Sequence, residues 1–305
     1  MLIPVNQARA LDRNIPNGEI LRKDATCINR KCSSKRDLRL RRRKERRMDE
    51  HHAGAGAPPL RIERSGMILR VTLDRPGSAN ALDSSIVDRF LDVLDNPVQI
   101  NDIRALIIAG NGKNFCGGFD LSEIEMQDEA TLVLRFLRIE TLLQRLYHMP
   151  IVTIACAQGN VIGAGADIFA ACTYRIAEPT ARFRMPGWQF GVALGTRRLC
   201  DRIGAEAARD LLSASRTLRA PDALACGLAT HVAAPTEWAA IVDTLLDATR
   251  TLAADAFEQL RELSVVDHRD ADMAALVASA LRPPGLKERM VAYARARDDV
   301  RRKSR

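Results

Sequence analysis

The spacing of apolar residues along the chain predicts a strand hairpin followed by amphipathic helices. Residues 60–64 and 67–73 alternate apolar and polar positions on either side of a Ser-Gly pair, which is typical of a two-residue turn. Asp83 is a suitable N-cap for a helix that ends before Pro97, and residues 128–148 have the same helical period. The apolar positions of the two helices are Ile86, Val87, Phe90, Leu91, Leu94, Leu132, Phe136, Ile139, Leu143 and Leu146.

Two buried apolar runs, residues 105–109 and 151–155, each lead into a glycine-rich turn and a helix start. The turns read Asn114-Phe115-Cys116-Gly117-Gly118-Phe119-Asp120-Leu121 and Gln158-Gly159-Asn160-Val161-Ile162-Gly163-Ala164-Gly165-Ala166-Asp167. A turn before a helix leaves backbone N–H groups unpaired at the positive end of the helix dipole. Two such groups together would form an oxyanion hole, and glycine lets a carbonyl approach the main chain closely. The alternative is that both turns are structural only.

The later part of the chain changes from strands to helices. Residues 173–177 and 181–185 are predicted strands, and nearly everything after residue 192 has helical periodicity. Strands that alternate with helices and then give way to helices indicate a layered α/β core with a C-terminal helical module. The predicted core spans residues 60–233, and the predicted helical module spans residues 234–305.

Charge separates the first 47 residues from the rest of the chain. They contain 15 Lys and Arg against 5 Asp and Glu, whereas the remaining residues contain 31 basic and 33 acidic side chains. The pI of about 9.4 therefore belongs to the tail and does not indicate a nucleic-acid partner for the folded part. Residues 1–59 are predicted to be a disordered basic tail and linker, because they lack periodic apolar residues.

Three interpretations of residues 1–47 stay open. The basic run at residues 39–47 fits a nucleic-acid arm, and a transit peptide is the second interpretation, although its acidic residues fit badly. In the third, codons for Lys44-Glu45 match a bacterial ribosome-binding site, Met48 is the true start and the tail is translated upstream DNA. We favour the third, which predicts a native mass that matches a chain beginning at or just after Met48.

Cysteine usage and hydropathy narrow the class of protein further. The seven cysteines are odd in number and form no close pairs inside the folded part, which favours reduced thiols and a cytoplasmic protein. No apolar run approaches the roughly 20 residues of a membrane span. Cys27 and Cys32 supply half of a zinc set, and no histidine lies near them. We therefore expect no metal, no membrane and no nucleic acid as partners.

Further segments occur in a fixed order around the glycine turns. Leu73-Asp74-Arg75-Pro76-Gly77-Ser78-Ala79-Asn80-Ala81-Leu82 precedes the first turn, Met149-Pro150 opens the second buried run, and Ala223-x-x-x-Gly227-Leu228-x-x-x-Val232-x-x-Pro235 follows. With these motifs the chain resembles the crotonase (enoyl-CoA hydratase/isomerase) superfamily over about residues 60–305. The resemblance implies an α/β fold, namely a crotonase-like spiral of ββα turns with a C-terminal helical trimerisation module. It also implies assembly into a homotrimer or homohexamer.

The resemblance implies a site for an acyl-CoA thioester and no other cofactor. Its oxyanion donors fall on the N–H groups of Gly117 and Ala164, where alanine replaces a glycine that many members have. The other substrate-binding positions fall on Ala79, Ala81, Lys113, Phe119, Asp120, Gly163, Gly187 and Trp188. Lys113 could reach a CoA phosphate and Trp188 could line the acyl pocket. A solvated lysine and a packing tryptophan are the alternatives.

The carboxylates depart from the family pattern. The hydratases use two glutamates; the first falls here on Asp167, one methylene shorter, and the second falls on Gly187. Removing a positioned acid or base typically costs about 10²–10⁴ in rate, so hydration with two glutamates is not expected. A double-bond shift, a decarboxylation or the hydrolysis of an acyl-CoA stays open. Asp167 also has a structural interpretation, since Asp at a helix start commonly caps it.

The leading hypothesis is an acyl-CoA-processing enzyme of this superfamily, a lyase or isomerase of fatty acid metabolism that stabilises a thioester enolate or oxyanion with backbone amides. A non-catalytic acyl-CoA-binding pseudoenzyme is the alternative, because the second acid is missing. A nucleic-acid protein is the weakest hypothesis, since only the tail supports it. His148, His231 and Cys116 are expected to be structural.

Overall fold

The computed structural model of the protein describes residues 58–100 and 102–303. The interpretations of the basic tail, including the start at Met48, concern residues outside the described ones. The described residues lie within one unit, Ala57–Arg305. The boundary between core and helical module at residue 233 stays a prediction.

Strands and helices alternate up to residue 184, and helices dominate afterwards. The strands are β1 (Leu60–Ser65), β2 (Ile68–Leu73), β3 (Ala105–Gly110), β4 (Val152–Ala157), β5 (Asn160–Ile162), β6 (Tyr174–Ala177), β7 (Arg182–Arg184), β8 (Leu218–Arg219) and β9 (His231–Val232). The helices are α1 (Ser84–Asp95), α2 (Pro97–Ile100), α3 (Glu129–Tyr147), α4 (Ala164–Ala171), α5 (Thr196–Ile203), α6 (Ala205–Ala214), α7 (Ala220–Ala225), α8 (Trp238–Arg250), α9 (Ala254–Ser264), α10 (Arg269–Ala280) and α11 (Leu286–Lys303).

The larger sheet has six strands in the order β1-β2-β3-β4-β6-β9. β1 and β2 form the predicted antiparallel hairpin, but its turn is Gly66-Met67, one residue later than the sequence indicated. Gly66 has a φ of 58°, a left-handed conformation that glycine adopts without strain, and this fixes the turn there. The other neighbouring strands are parallel, and the central strand β4 is buried along its whole length.

A smaller sheet of short strands follows the long ones along the chain. Its strand order is β5-β7-β8. Two single parallel bridges, Leu82 with Phe119 and Cys116 with Val161, take the place of such short strands earlier in the chain. After β2, β3, β4 and β6 the chain therefore turns, makes a short strand or bridge, and enters a helical segment. This repeat confirms the predicted α/β class and the spiral of ββα turns. The sequence did not show the repeat because the short strand is reduced to one bridge in the first two turns.

The first helices are placed as their sequence predicts. The Asp83 carboxylate accepts a hydrogen bond from the Ile86 N–H at 2.9 Å, which confirms the cap of α1. Asp128 caps α3 in the same way, accepting from the Thr131 N–H at 2.7 Å. The apolar face of α1 and the second half of the apolar face of α3 share one core cluster with the sheet, whereas Leu132 and Phe136 of α3 belong to a second cluster. Each buried aliphatic or aromatic side chain contributes about 1.5–3 kcal/mol.

The C-terminal helices α10 and α11 pack against α3. Leu276, Leu286 and Met290 are fully buried there, beside Phe136 of α3. The Glu129 carboxylate accepts hydrogen bonds from the first two N–H groups of α11, so α3 caps the helix that crosses it. This packing places α11 beside the glycine turns.

Candidate active site

The two glycine turns lie directly against each other. The Ile162 N–H donates to the Cys116 carbonyl at 2.9 Å. A Cβ on Gly165 would lie 2.6 Å from the Cys116 Cβ, and a Cβ on Gly118 would lie 2.5 Å from the Ile162 oxygen. No side chain fits at such distances, so Gly118 and Gly165 are the glycines that let the two backbones meet.

The Ala164 N–H is an unpaired donor at this junction. Ala164 is the first residue of α4, and its amide donates to no group of the described residues, as expected for a first-turn N–H. The preceding residue, Gly163, has a φ of 52° and a ψ of −124°, which turns the chain sharply into the helix. The positive end of the helix dipole therefore coincides with a free N–H group.

The Gly117 N–H, predicted as the second oxyanion donor, already has a partner. It donates to the Ala79 carbonyl at 2.8 Å. Ala79 takes a left-handed conformation with a φ of 51°, in the loop that precedes α1. Gly117 can serve an oxyanion only if this bond is shared with a ligand or broken. The neighbouring Gly118 N–H makes only a weak contact with the Cys116 Sγ at 3.4 Å, and sequence reasoning missed it as a donor.

A cavity of about 80 Å³ begins at the two turns and continues between apolar side chains. The Phe119 ring stacks on Phe136 with 4.4 Å between centroids, and the Arg135 guanidinium lies 3.9 Å from the Phe119 centroid. An apolar passage that starts at a free N–H suits a hydrocarbon chain that carries one carbonyl group. The lining residues are Gly117, Gly118, Phe119, Leu121, Phe136, Ile162, Gly163, Ala164, Asp167, Pro186, Gly187, Trp188, Phe190, Val192, Leu194, Leu212, Tyr293 and Arg297.

Asp167 supplies a carboxyl group to this cavity. It is 7% exposed, and its side chain makes no hydrogen bond with the residues that the structure describes. Burial raises the pKa of Asp167 to about 8, although the nearby Arg198 acts in the opposite direction. The group is therefore largely protonated at neutral pH. The geometry gives no support to capping, because the carboxyl group bonds to none of the free N–H groups of α4.

A buried ion-pair network interacts electrostatically with Asp167. Arg198 forms two hydrogen bonds with Glu140, at 2.9 and 2.5 Å, and one with Asp272 at 3.0 Å. The Arg198 and Glu140 side chains are 2% and 1% exposed. Glu140 and Asp272 raise the pKa of Asp167 further. Sequence reasoning missed this network, because its members come from α3, α5 and α10 and share no local motif.

The position of the second family glutamate contributes no acid. Gly187 lines the cavity at the start of the 3-10 turn Gly187–Phe190, and Asp167 is the only Asp or Glu among the described residues that line it. Trp188 also lines the cavity, and its Nε1 donates to the Thr196 Oγ1 at 3.1 Å. The sequence predicted that the second family glutamate is missing, and no other acid among the described lining residues takes its place.

Four predicted substrate-binding residues lie outside the cavity lining. Ala79 and Ala81 flank Gly117, with their Cβ atoms 3.5 and 3.8 Å from the point where a Gly117 Cβ would be. Lys113 is exposed at the tip of its turn. Asp120 is held by Arg75 at 3.0 Å and accepts from the Ser122 N–H at 3.0 Å, so its carboxylate is already satisfied within the fold.

Cys116 and His148 have contacts that fit a structural role. Burial raises the pKa of the Cys116 thiol to about 12, and the thiol donates to the Asn80 carbonyl. The His148 Nε2 lies 3.8 Å from Asp267, an acidic neighbour that sequence spacing did not suggest. The described part of the chain contains no cluster of three or more His, Cys, Asp or Glu that could hold a metal. None of its helices is long and apolar enough to cross a membrane.

Comparison with known proteins identifies the family. A sequence profile described as enoyl-CoA hydratase/isomerase matches residues 63–290. An enoyl-CoA isomerase/hydratase of Mycosarcoma maydis is 32% identical over 178 residues, which cover 54% of this chain and 65% of that protein. A short-chain-enoyl-CoA hydratase of Clostridium acetobutylicum is 31% identical over 182 residues, which cover 58% of this chain and 69% of that protein.

A solved structure supports the same assignment. The Bordetella parapertussis protein, described as an enoyl-CoA hydratase/isomerase, is 41% identical and superposes with a TM-score of 0.75. The match covers 78% of this chain and 99% of that one. Because the family profile spans most of the folded residues, the chain belongs to the enoyl-CoA hydratase/isomerase family.

Proposed function

We propose that the protein processes acyl-CoA thioesters with one carboxyl group and backbone amides, as an isomerase, decarboxylase or hydrolase and not as a two-glutamate hydratase. One observation carries this proposal. The unpaired Asp167 carboxyl group and the unpaired Ala164 N–H share a cavity in which the described lining residues supply no second carboxylate. Such a site can stabilise charge on a thioester oxygen and move one proton.

The proposed chemistry assigns one task to each group. The Ala164 N–H donates to the thioester oxygen and stabilises the negative charge of an enolate, with the Gly117 N–H joining when it shares or leaves Ala79. In a double-bond shift, the Asp167 carboxylate takes a proton from one carbon, and the C–H electron pair moves to the thioester oxygen. Asp167 then returns the proton to another carbon. In a decarboxylation, CO₂ leaves first and neutral Asp167 protonates the enolate carbon.

The pH dependence of kcat/KM should show an inflection near pH 8 that belongs to Asp167, whose burial raises its pKa to about that value. A step in which Asp167 takes a proton requires its carboxylate, so kcat/KM would rise with pH. A step in which it gives a proton requires the acid, so kcat/KM would fall. An inflection that persists in Asp167→Asn would assign it to another group.

Turnover of a panel of CoA thioesters tests the proposal. Acyl-, enoyl- and α-carboxyacyl-CoA, the last of the malonyl type, should distinguish hydrolysis, double-bond shift and decarboxylation by their products. Turnover of at least one class supports the enzyme. Tight binding of every thioester without turnover would favour the acyl-CoA-binding pseudoenzyme. If the protein shows no binding and no turnover, both hypotheses are wrong.

We propose a homotrimer or homohexamer as the working state. Around the end of α9, Leu260, Leu263 and Val266 are 54%, 88% and 54% exposed, more apolar surface than one helix end usually presents to water. Light scattering should give three or six times the chain mass, and Leu263→Asp should lower it. A stable monomer at micromolar concentration would contradict the assembly.

Cytoplasmic location is the remaining part of the proposal. The five cysteines of the described residues are all free thiols, and three of them are buried. Free thiols persist where the surroundings are reducing, which favours the cytoplasm. Fractionation of the native cells, followed by detection of the chain, tests this location.

A further inference from the structure

A second, open cavity of about 820 Å³ adjoins the proposed acyl cavity. Phe190, Tyr293 and Arg297 line both cavities. The second cavity is also lined by Arg184 and Arg289, and no Asp or Glu is among its described lining residues. The acyl cavity therefore adjoins a groove that carries three guanidinium groups.

Two of these positive charges have no anionic partner within the described residues. The Arg289 guanidinium group donates hydrogen bonds of 2.7 to 3.2 Å to four carbonyl oxygens, those of Phe190, Gly191, Ser279 and Ala280. Arg184 donates to the Ser215 carbonyl at 3.0 Å and to the Gln189 side chain at 3.3 Å. Neither arginine forms a salt bridge there, so the groove keeps a positive field that favours an anion.

Arg297 is the arginine that reaches the acyl cavity. Its ionic contact is with Asp298, the next residue, at 3.3 Å, and the two side chains are 38% and 53% exposed. Ion pairs this exposed contribute little, so Arg297 can turn towards a ligand at small cost. Its planar guanidinium group can hold a carboxylate with two parallel hydrogen bonds.

The arrangement of the site gives the direction in which a ligand would lie. The thioester oxygen belongs at the Ala164 N–H, and Ala79 and Ala81 flank Gly117 outside the acyl cavity, on the side we assign to CoA. Phe136 and Arg297 line the same cavity as Ala164, and Arg297 also lines the positive groove. The end of the acyl group that is remote from sulfur would therefore meet the arginines.

We propose that the preferred acyl group ends in a carboxylate, which Arg297 holds at the far end of the acyl cavity. This inference rests on the proposed function, since it needs a thioester at Ala164. The apolar middle of the passage would hold the methylene groups, and the positive groove would neutralise the terminal charge. An acyl group that ends in a methyl would leave Arg184 and Arg289 without a counterion in the groove.

Calorimetry with saturated thioesters, which offer no double bond to shift, tests this directly. Succinyl-, glutaryl- and adipoyl-CoA are compared with butyryl-, pentanoyl- and hexanoyl-CoA, which match them in length but lack the terminal carboxylate. One charged hydrogen bond should make at least one dicarboxylic thioester bind about tenfold more tightly than its neutral counterpart. Arg297→Gln should remove that preference. Arg295→Gln is the matched control, because Arg295 lies on the same helix, pairs with Glu125 at 3.0 Å and lines neither cavity.

The outcomes separate this inference from the proposed function. Equal or tighter binding of the neutral thioesters overturns the terminal carboxylate and leaves the acyl-CoA site intact. Free CoA is a further probe: if Arg297→Gln weakens free CoA as much as it weakens the dicarboxylic thioester, the groove binds CoA phosphates and the inference is wrong. Failure to bind any thioester removes the proposed function and this inference with it.

Discussion

Asp167→Asn is expected to lower turnover strongly and at the same time to stabilise the fold. The change keeps the shape of the side chain and removes its acid, so kcat should fall by about 10²–10⁴. Burial raises the pKa of Asp167 from 3.8 to about 8 in the folded state. The unfolded chain therefore ionises first, and the free energy of unfolding falls as pH rises between these values.

The stability effect should consequently depend on pH. Below about pH 3 both states hold the proton and Asp167→Asn should change little. At pH 7 the variant should gain about 1–3 kcal/mol in the free energy of unfolding, measured by denaturant titration, because it escapes the cost of keeping an ionisable group buried.

Asp272→Asn is the control, because Asp272 is a buried carboxylate that has ionic partners, whereas Asp167 forms no salt bridge within the described residues. Asp272 is paired with Arg197 at 2.9 Å and Arg198 at 3.0 Å, so its loss should cost about 3 kcal/mol or more. If Asp167→Asn instead destabilises the fold by about 1 kcal/mol at pH 7 and retains activity, Asp167 is a helix cap after all.

Ala164→Pro is expected to lower kcat by about 10²–10³, because it deletes the unpaired N–H at the first residue of α4. Proline is well tolerated at the first position of a helix, where its missing N–H breaks no internal bond. The residue before a proline prefers extended backbone. Gly163, at φ 52° and ψ −124°, has the mirror image of that conformation, which glycine adopts equally well.

Two measurements keep this result interpretable. Circular dichroism and thermal unfolding should show a native fold for Ala164→Pro, and Ala164→Ser, which keeps the N–H, should retain turnover. A folded proline variant with wild-type kcat would show that the oxyanion is stabilised elsewhere, with Gly117 and Gly118 as the next amides to test.

The fold was predictable wherever local chemistry decides the structure. Asp83 caps α1 because its side chain reaches the amide three residues on, and the two glycine turns follow their strands as the apolar runs indicated. The hairpin turn was displaced by one residue, because φ at Gly66, and not the Ser-Gly pair as such, fixes its position.

The site was predictable in its backbone and less so in its charges. Ala164 and Asp167 could be placed because they sit in a recognisable motif. The Gly117 bond to Ala79 depends on a left-handed loop that no motif encodes. Arg198 and Arg297 reach the site through helix packing over long separations in the chain, and only the tertiary structure brings them there.

Gly195 provides room for the Asp167 side chain. It has a φ of 63°, and a Cβ there would lie 2.0 Å from the Asp167 Oδ1. A side chain at position 195 would therefore require both a strained backbone and a movement of the Asp167 side chain. Gly195 leaves the space that the Asp167 carboxyl group occupies, and filling that space would displace the acid that we propose moves the proton.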